Sequence, residues 1–243
     1  MIRTSACARL LVALLATGSV ADACASDVQE QRNRDGSRLR LQLRDLPDPD
    51  DAGFVRVLVD HAAPSVEGFV RRLDLVADPE GEPLRGASLV DIDGDGIHEV
   101  EIRGLCGAGP NCLGALYRLD PASGELRLFF SGGYAELWVM DGHLVEAGRA
   151  SCCSWEFHAW RLDGRTAVLD GGNMDLLATV GVATGATDDA TPLACAFQRR
   201  DGTDWTAIAP PGPDWLRLCD WYDAPYHVVL PDQAPGAGPS QEP

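Results

Sequence analysis

The sequence predicts an all-β protein: an antiparallel meander, β-propeller-like and held by disulfides. Three observations predict it. Apolar and polar residues alternate along many short runs, as in strands that bury one face. Asp-Gly and Ser-Gly pairs punctuate those runs at short intervals. Six cysteines, an even number, follow a leader of export type, and that combination points to disulfides. The chain has 243 residues, 45% hydrophobic and 23% charged, which suits one large β domain or two small ones. Collagen, coiled coil and wholesale disorder are excluded by the same composition.

The elements follow in order. Residues 1–25 read as a secretory signal peptide: Arg3 and Arg9 form a basic start and Leu10 to Ala16 a short apolar core. Ala21-Asp22-Ala23 and Ala23-Cys24-Ala25 both fit small-x-small cleavage. Cleavage before Cys24 would expose a cysteine as in bacterial lipoproteins, so a lipid anchor stays open. The apolar run is well short of the ~20 residues a membrane helix needs. A periplasmic or secreted location follows. Residues 26–37 read as a polar leader, residues 38–230 as the β domain and residues 231–243 as a disordered Pro/Gly-rich tail.

Inside the β domain, Leu39, Leu41 and Leu43 alternate with Arg40, Gln42 and Arg44, and Val55, Val57 and Val59 repeat the pattern. Strand-like runs continue at Gly68–Val76, Ala87–Val90, Val100–Leu105, Gly114–Leu119, Leu126–Phe130, Glu136–Met140, His143–Ala147 and Trp155–Leu162. Ala167–Leu169, Ala194–Gln198 and Trp215–Cys219 complete them. Asn173–Val180 suits a helix or a strand. Tyr117-Arg-Leu-Asp120 and Trp160-Arg-Leu-Asp163 stand 43 residues apart, close to the ~40–50-residue period of propeller blades.

The mature cysteines are Cys106, Cys112, Cys152, Cys153, Cys195 and Cys219. Six thiols allow 15 pairings. Adjacent cysteines more often take separate partners, which is the expectation for Cys152 and Cys153; a vicinal redox pair is the alternative. Zinc is disfavoured, because no Cys-x-x-Cys occurs and the histidines never fall in ligand spacing.

One motif carries chemistry. Asp91, Asp93 and Asp95 occupy positions 1, 3 and 5 of Asp91-Ile-Asp-Gly-Asp-Gly-Ile-His-Glu99. That spacing puts three carboxylates on the concave side of a loop, with the Ile97 carbonyl at position 7 and Glu99 at position 9. Calcium requires such a set, since it takes six to eight hard oxygens in a tolerant geometry. An EF-hand would place Glu at position 12, where Ile102 stands, and would flank the loop with helices. Here both flanks alternate like strands. The expectation is a structural strand–loop–strand calcium site of Asp91, Asp93, Asp95, Ile97 and Glu99.

The loop resembles the Asp-x-Asp-Gly-Asp-Gly loops of FG-GAP (VCBS-like) and integrin-like propeller repeats, where position 9 is usually Asp. A wider likeness over residues 53–165 includes the strand pair Val55–Val59 and Phe69–Leu75, the single calcium loop, and the aromatic strand Leu116–Leu119. It resembles exported bacterial proteins with one calcium loop, among them periplasmic immunity proteins that inhibit lysozyme-like effectors. The resemblance implies protein binding rather than catalysis. It also implies a loop for a hydrolase cleft, and Ser131-Gly-Gly-Tyr134 loosely resembles such inhibitor loops. Ser131 and Tyr134 are the candidate partner contacts; the alternative is a hairpin turn whose Tyr covers the core edge.

Charge and absent motifs narrow the classes. Formal charge is −17, with all 20 basic residues Arg, and loss of residues 1–25 removes Arg3, Arg9 and Asp22 to leave −18. Such acidity disfavours nucleic acid, which wants a basic face. It suits a divalent cation or a basic protein partner. No Gly-x-Ser-x-Gly, His-Glu-x-x-His or P-loop occurs, so the chain is not read as an enzyme. Trp138, Trp155, Trp160, Trp205, Trp215 and Trp221 leave a carbohydrate-binding or envelope-structural role as the alternative.

Overall fold

The computed structural model describes residues 28–46, 53–162, 174–182 and 192–233. The signal peptide with Cys24, the Ala167–Leu169 run and the tail beyond residue 233 lie outside the described residues.

The strands form three sheets in chain order. The first is a four-stranded meander of β1 (Val28–Arg32), β2 (Arg38–Asp45), β3 (Val55–Ala62) and β4 (Val70–Leu75). The second orders β5 (Gly86–Val90), β6 (Glu99–Cys106), β7 (Cys112–Asp120) and β8 (Glu125–Tyr134) in the same way. The third runs through β9 (Glu136–Met140), β10 (His143–Ser151), β11 (Ser154–Arg161), β12 (Met174–Gly181), β13 (Leu193–Asp201) and β14 (Asp204–Ile208). Its seventh strand, β15 (Tyr226–Val229), pairs parallel with β13. All other pairings are antiparallel, so the all-β meander is correct. The sheets do not close into a ring, and propeller-like describes them only loosely.

Alternation accounts for the packing. Leu39 and Leu41 of β2 and Val57 and Val59 of β3 face Val100 and Ile102 of β6 across one core. A second core packs Phe157, Val180 and Phe197 against Trp215 and Leu218. Between them Leu116, Phe130 and Tyr134 meet Leu144 and Trp160, which joins the second sheet to the third. The β9–β10 hairpin turns on Asp141 and Gly142, both at positive φ (49° and 71°). That is the two-residue turn whose twist matches the strands, and Asp-Gly suits it.

Five readings of the sequence are changed or decided. The polar leader 26–37 contains β1, which pairs along β2 from Val28↔Gln42 to Arg32↔Arg38. Its single apolar residue hides it, because an edge strand is held by main-chain hydrogen bonds. Trp215–Cys219 is part of a 3₁₀ helix, Pro213–Tyr222. Pro213 suits the first helical turn, and Trp215, Leu218 and Cys219 share its buried face. Asn173–Val180, left open between helix and strand, holds most of β12. Cys152 and Cys153 pair with each other rather than with separate partners. They occupy the tip of the β10–β11 hairpin, while Cys106–Cys112 closes the β6–β7 end and Cys195–Cys219 ties β13 to the 3₁₀ helix. The first three tail residues, Pro231–Gln233, form a short 3₁₀ turn.

Candidate functional site

The acidic loop joins the ends of β5 and β6, which pair up to Val90↔Glu99. That closing pair brings the two ends of the loop together and sets Glu99 back toward Asp91 and Asp93. One carboxylate oxygen from each of Asp91, Asp93 and Glu99 lies within 4.8 Å of the others. Two ligands on one calcium ion stand at most about 5 Å apart, given metal–oxygen distances of 2.3–2.6 Å. The spacing therefore fits a single ion.

The loop backbone is curled by its own carboxylates. Asp91 Oδ2 accepts from Gly96 N at 3.1 Å, Asp93 Oδ1 from Asp95 N at 3.2 Å, and Asp95 Oδ1 from Ile97 N at 2.7 Å. Gly94 and Gly96 take φ of 72° and 82°, a region L side chains rarely enter. Asp95 does not join the three clustered carboxylates and lies exposed. The remaining ligands of a calcium shell would come from Asp95, the Ile97 carbonyl and water.

Glu99 is the unusual member. It is 1% exposed, and burial raises its pKa from 4.5 to about 7, against the lowering effects of the Ile92 amide and Arg118. A carboxylate so desolvated favours a nearby cation.

Part of that charge is already supplied. Arg118 of β7 donates from Nη2 to Asp93 at 2.7 Å and from Nε to Glu99 at 3.0 Å. Its guanidinium lies 4.2 Å from the centre of the Phe129 ring. Sequence reasoning noticed Arg118 only within the Tyr-Arg-Leu-Asp repeat. Asp91, Asp93, Asp95 and Glu99 bring four carboxyl groups against this one guanidinium, so a dication remains compatible.

The β1–β2 turn braces the loop from outside. Asn33 Oδ1 accepts from His98 N at 2.9 Å, and Arg34 N donates to the Gly96 carbonyl at 2.8 Å. Asn33 is itself 3% exposed and donates from Nδ2 to Ser37 Oγ at 2.9 Å. The segment expected to be a leader thus helps to shape the site.

No family model matches the chain, and no curated protein matches it. Among solved structures it is similar to a chain described as a Xanthomonas Type IV secretion system related protein. That likeness has a TM-score of 0.47 and 14% identity, and covers 76% of this chain and 98% of that one.

The expected partner loop is not a loop. Ser131 to Tyr134 continue β8 and pair with Ala115 to Cys112 on β7. Tyr134 is fully buried, and its hydroxyl donates to Glu101 at 3.0 Å. Burial beside Glu101 raises the phenol well above its usual range. Tyr134 has no face to offer a partner, and Ser131 lies on β8, apart in sequence from the acidic loop between β5 and β6.

The tryptophans divide. Trp215 and Trp160 are buried, while Trp138, Trp155 and Trp221 pack half-buried over the second core. Trp138 stacks on Trp221 with centroids 5.9 Å apart and planes 12° from parallel. Trp205 lies on β14.

Proposed function

We propose that this is an exported calcium-binding module for protein recognition, without enzymatic activity, that inhibits a lysozyme-like cell-wall hydrolase. One observation carries it: Asp91, Asp93 and Glu99 converge within 4.8 Å on a strand–loop–strand frame. The resemblance of that loop to single-calcium-loop inhibitors supports the hydrolase as partner. A net charge of −17 supports fast association with a cationic enzyme. The second reading is a carbohydrate-binding or envelope-structural protein, favoured by the half-buried stack of Trp138 and Trp221.

The test begins with calcium. The mature protein is melted with excess calcium and with chelator, beside Asp93→Ala. A ligand at 100 times its dissociation constant that binds only the folded state adds about 2.7 kcal/mol. The expected rise is present in the wild type and absent in the variant; no shift in the wild type removes the calcium reading. The calcium-loaded protein is then assayed against a lysozyme-type hydrolase and for sedimentation with peptidoglycan. Inhibition that weakens with salt supports the first partner reading. Sedimentation without inhibition supports the second.

A further inference from the structure

We propose that Cys152–Cys153 is a thiol–disulfide exchange site whose co-reactant is a dithiol. The reason begins with what this bond cannot do. A disulfide stabilises a fold chiefly by closing a loop in the unfolded chain, and the effect shrinks with loop length. Cys195–Cys219 spans 24 residues and both its cysteines are fully buried. Cys152–Cys153 spans one peptide bond and both its cysteines are exposed. It joins no two elements and hardly restricts the unfolded chain, so its value to the molecule is chemical.

Its surroundings suit that chemistry. The pair sits at the tip of the hairpin that Ser151 and Ser154 close, with their hydroxyls 2.7 Å apart. Arg149 bends over the turn, donating from Nε to the Ser151 carbonyl at 3.0 Å and from Nη2 to the Cys152 carbonyl at 2.6 Å. No carboxylate pairs with Arg149 among the described residues. A cation beside Cys152 stabilises its thiolate, the form in which it leaves the mixed disulfide in the second step below.

Access is also provided. A cavity of about 360 Å³ opens beside Cys152, walled by Gly107, Ala108 and Gly109 on one side and by Arg149 and Ser151 on the other. Asn111 fixes the two walls by accepting from Arg149 N at 2.8 Å and donating to the Arg149 carbonyl at 3.2 Å. The Cys106–Cys112 bond closes the glycine-bearing wall at its base.

The exchange balances as follows. A thiolate of the incoming dithiol attacks Cys152 Sγ, the Cys152–Cys153 bond breaks, and its electron pair stays on Cys153, which takes a proton. The second thiol of the reductant attacks the mixed disulfide and releases Cys152. Two electrons and two protons reach the turn, and the reductant leaves as a disulfide.

Dithiothreitol redox buffers of stepped ratio at pH 7 test this on the mature protein. Thiols are trapped with iodoacetamide and located by peptide mass. Cys152 and Cys153 are expected to be alkylated together, in buffer at least tenfold less reducing than Cys195 and Cys219 require. Tenfold corresponds to about 30 mV for two electrons. The melt of the selectively reduced protein is expected to match that of the oxidised one. Arg149→Gln is expected to slow the exchange several-fold, with a smaller salt dependence. Four results each overturn the proposal: free thiols at these positions before any reductant, pairing of either with another cysteine, reduction only together with Cys195–Cys219, or reduction only on unfolding.

Discussion

Gly114 shows how one missing side chain shapes the second sheet. A Cβ there would lie 2.6 Å from the Tyr134 hydroxyl and 2.8 to 2.9 Å from its ring carbons. The ring cannot easily move: Arg103 lies 4.5 Å from its centre and Glu101 accepts its hydroxyl. Gly132, directly across from Gly114, likewise gives room to Phe130 and Glu146. These glycines are spaces for aromatic packing rather than turns. Gly114→Ala is therefore expected to lower stability by about 1–3 kcal/mol, the usual range for overpacking a filled core. Urea unfolding measures it, and an unchanged midpoint would show that the ring yields freely. The same fact explains part of why Ser131-Gly-Gly-Tyr134 misled as a sequence: two glycines before a tyrosine read as a flexible loop, and only the packing around Gly132 reveals its need for space.

Among the elements, the β1–β2 hairpin and the acidic loop act as one unit. Asn33 serves both the Ser37 hydroxyl and the His98 main chain from a buried position. Asn33→Ala would leave the His98 amide without this acceptor, at a cost of about 1–3 kcal/mol for a buried group. The prediction has two parts: a lower melting temperature in chelator, and weaker calcium binding by isothermal titration, because the loop is no longer held in shape. A lower melting temperature with unchanged affinity would mean that the hairpin stabilises the sheet alone. Most strands were legible, since alternation reports burial directly. The three clustered carboxylates were legible because their spacing is local. Asn33 and Arg118 were not, for they reach the loop from other strands and no spacing rule joins them to it. The 3₁₀ helix was missed for another reason. Trp215-Leu-Arg-Leu-Cys219 satisfies alternation and a helical face equally, and Pro213 should have decided for the helix.

At the scale of the whole molecule, the join between the second and third sheets is apolar at its centre and titratable at its margin. Phe130 meets Trp160 edge-on with centroids 5.1 Å apart, and His158 lies edge-on to the same Trp160 at 5.9 Å. His158 faces Glu146 of β10 at 3.4 Å and Glu156 of its own strand at 3.5 Å, while Leu177 of β12 stands across from it. The hydrogen bond to Glu146 leads in raising the His158 pKa above 6.5, with the charges of Glu146 and Glu156 adding to it and burial opposing it. The sign follows from linkage. A group that binds its proton more tightly when folded stabilises the fold fully below its unfolded pKa, and that gain fades as pH rises through the folded value. Wild type should therefore exceed His158→Gln in stability by more at pH 6 than at pH 8.5, with the difference falling steadily between. Comparing the two proteins at each pH cancels the general repulsion of a chain at −17. Partial exposure of His158 lets solvent screen the pair, so the difference should also shrink in high salt. A gap that stays constant across the range would assign His158 a packing role against Trp160 and leave the join between the sheets indifferent to pH.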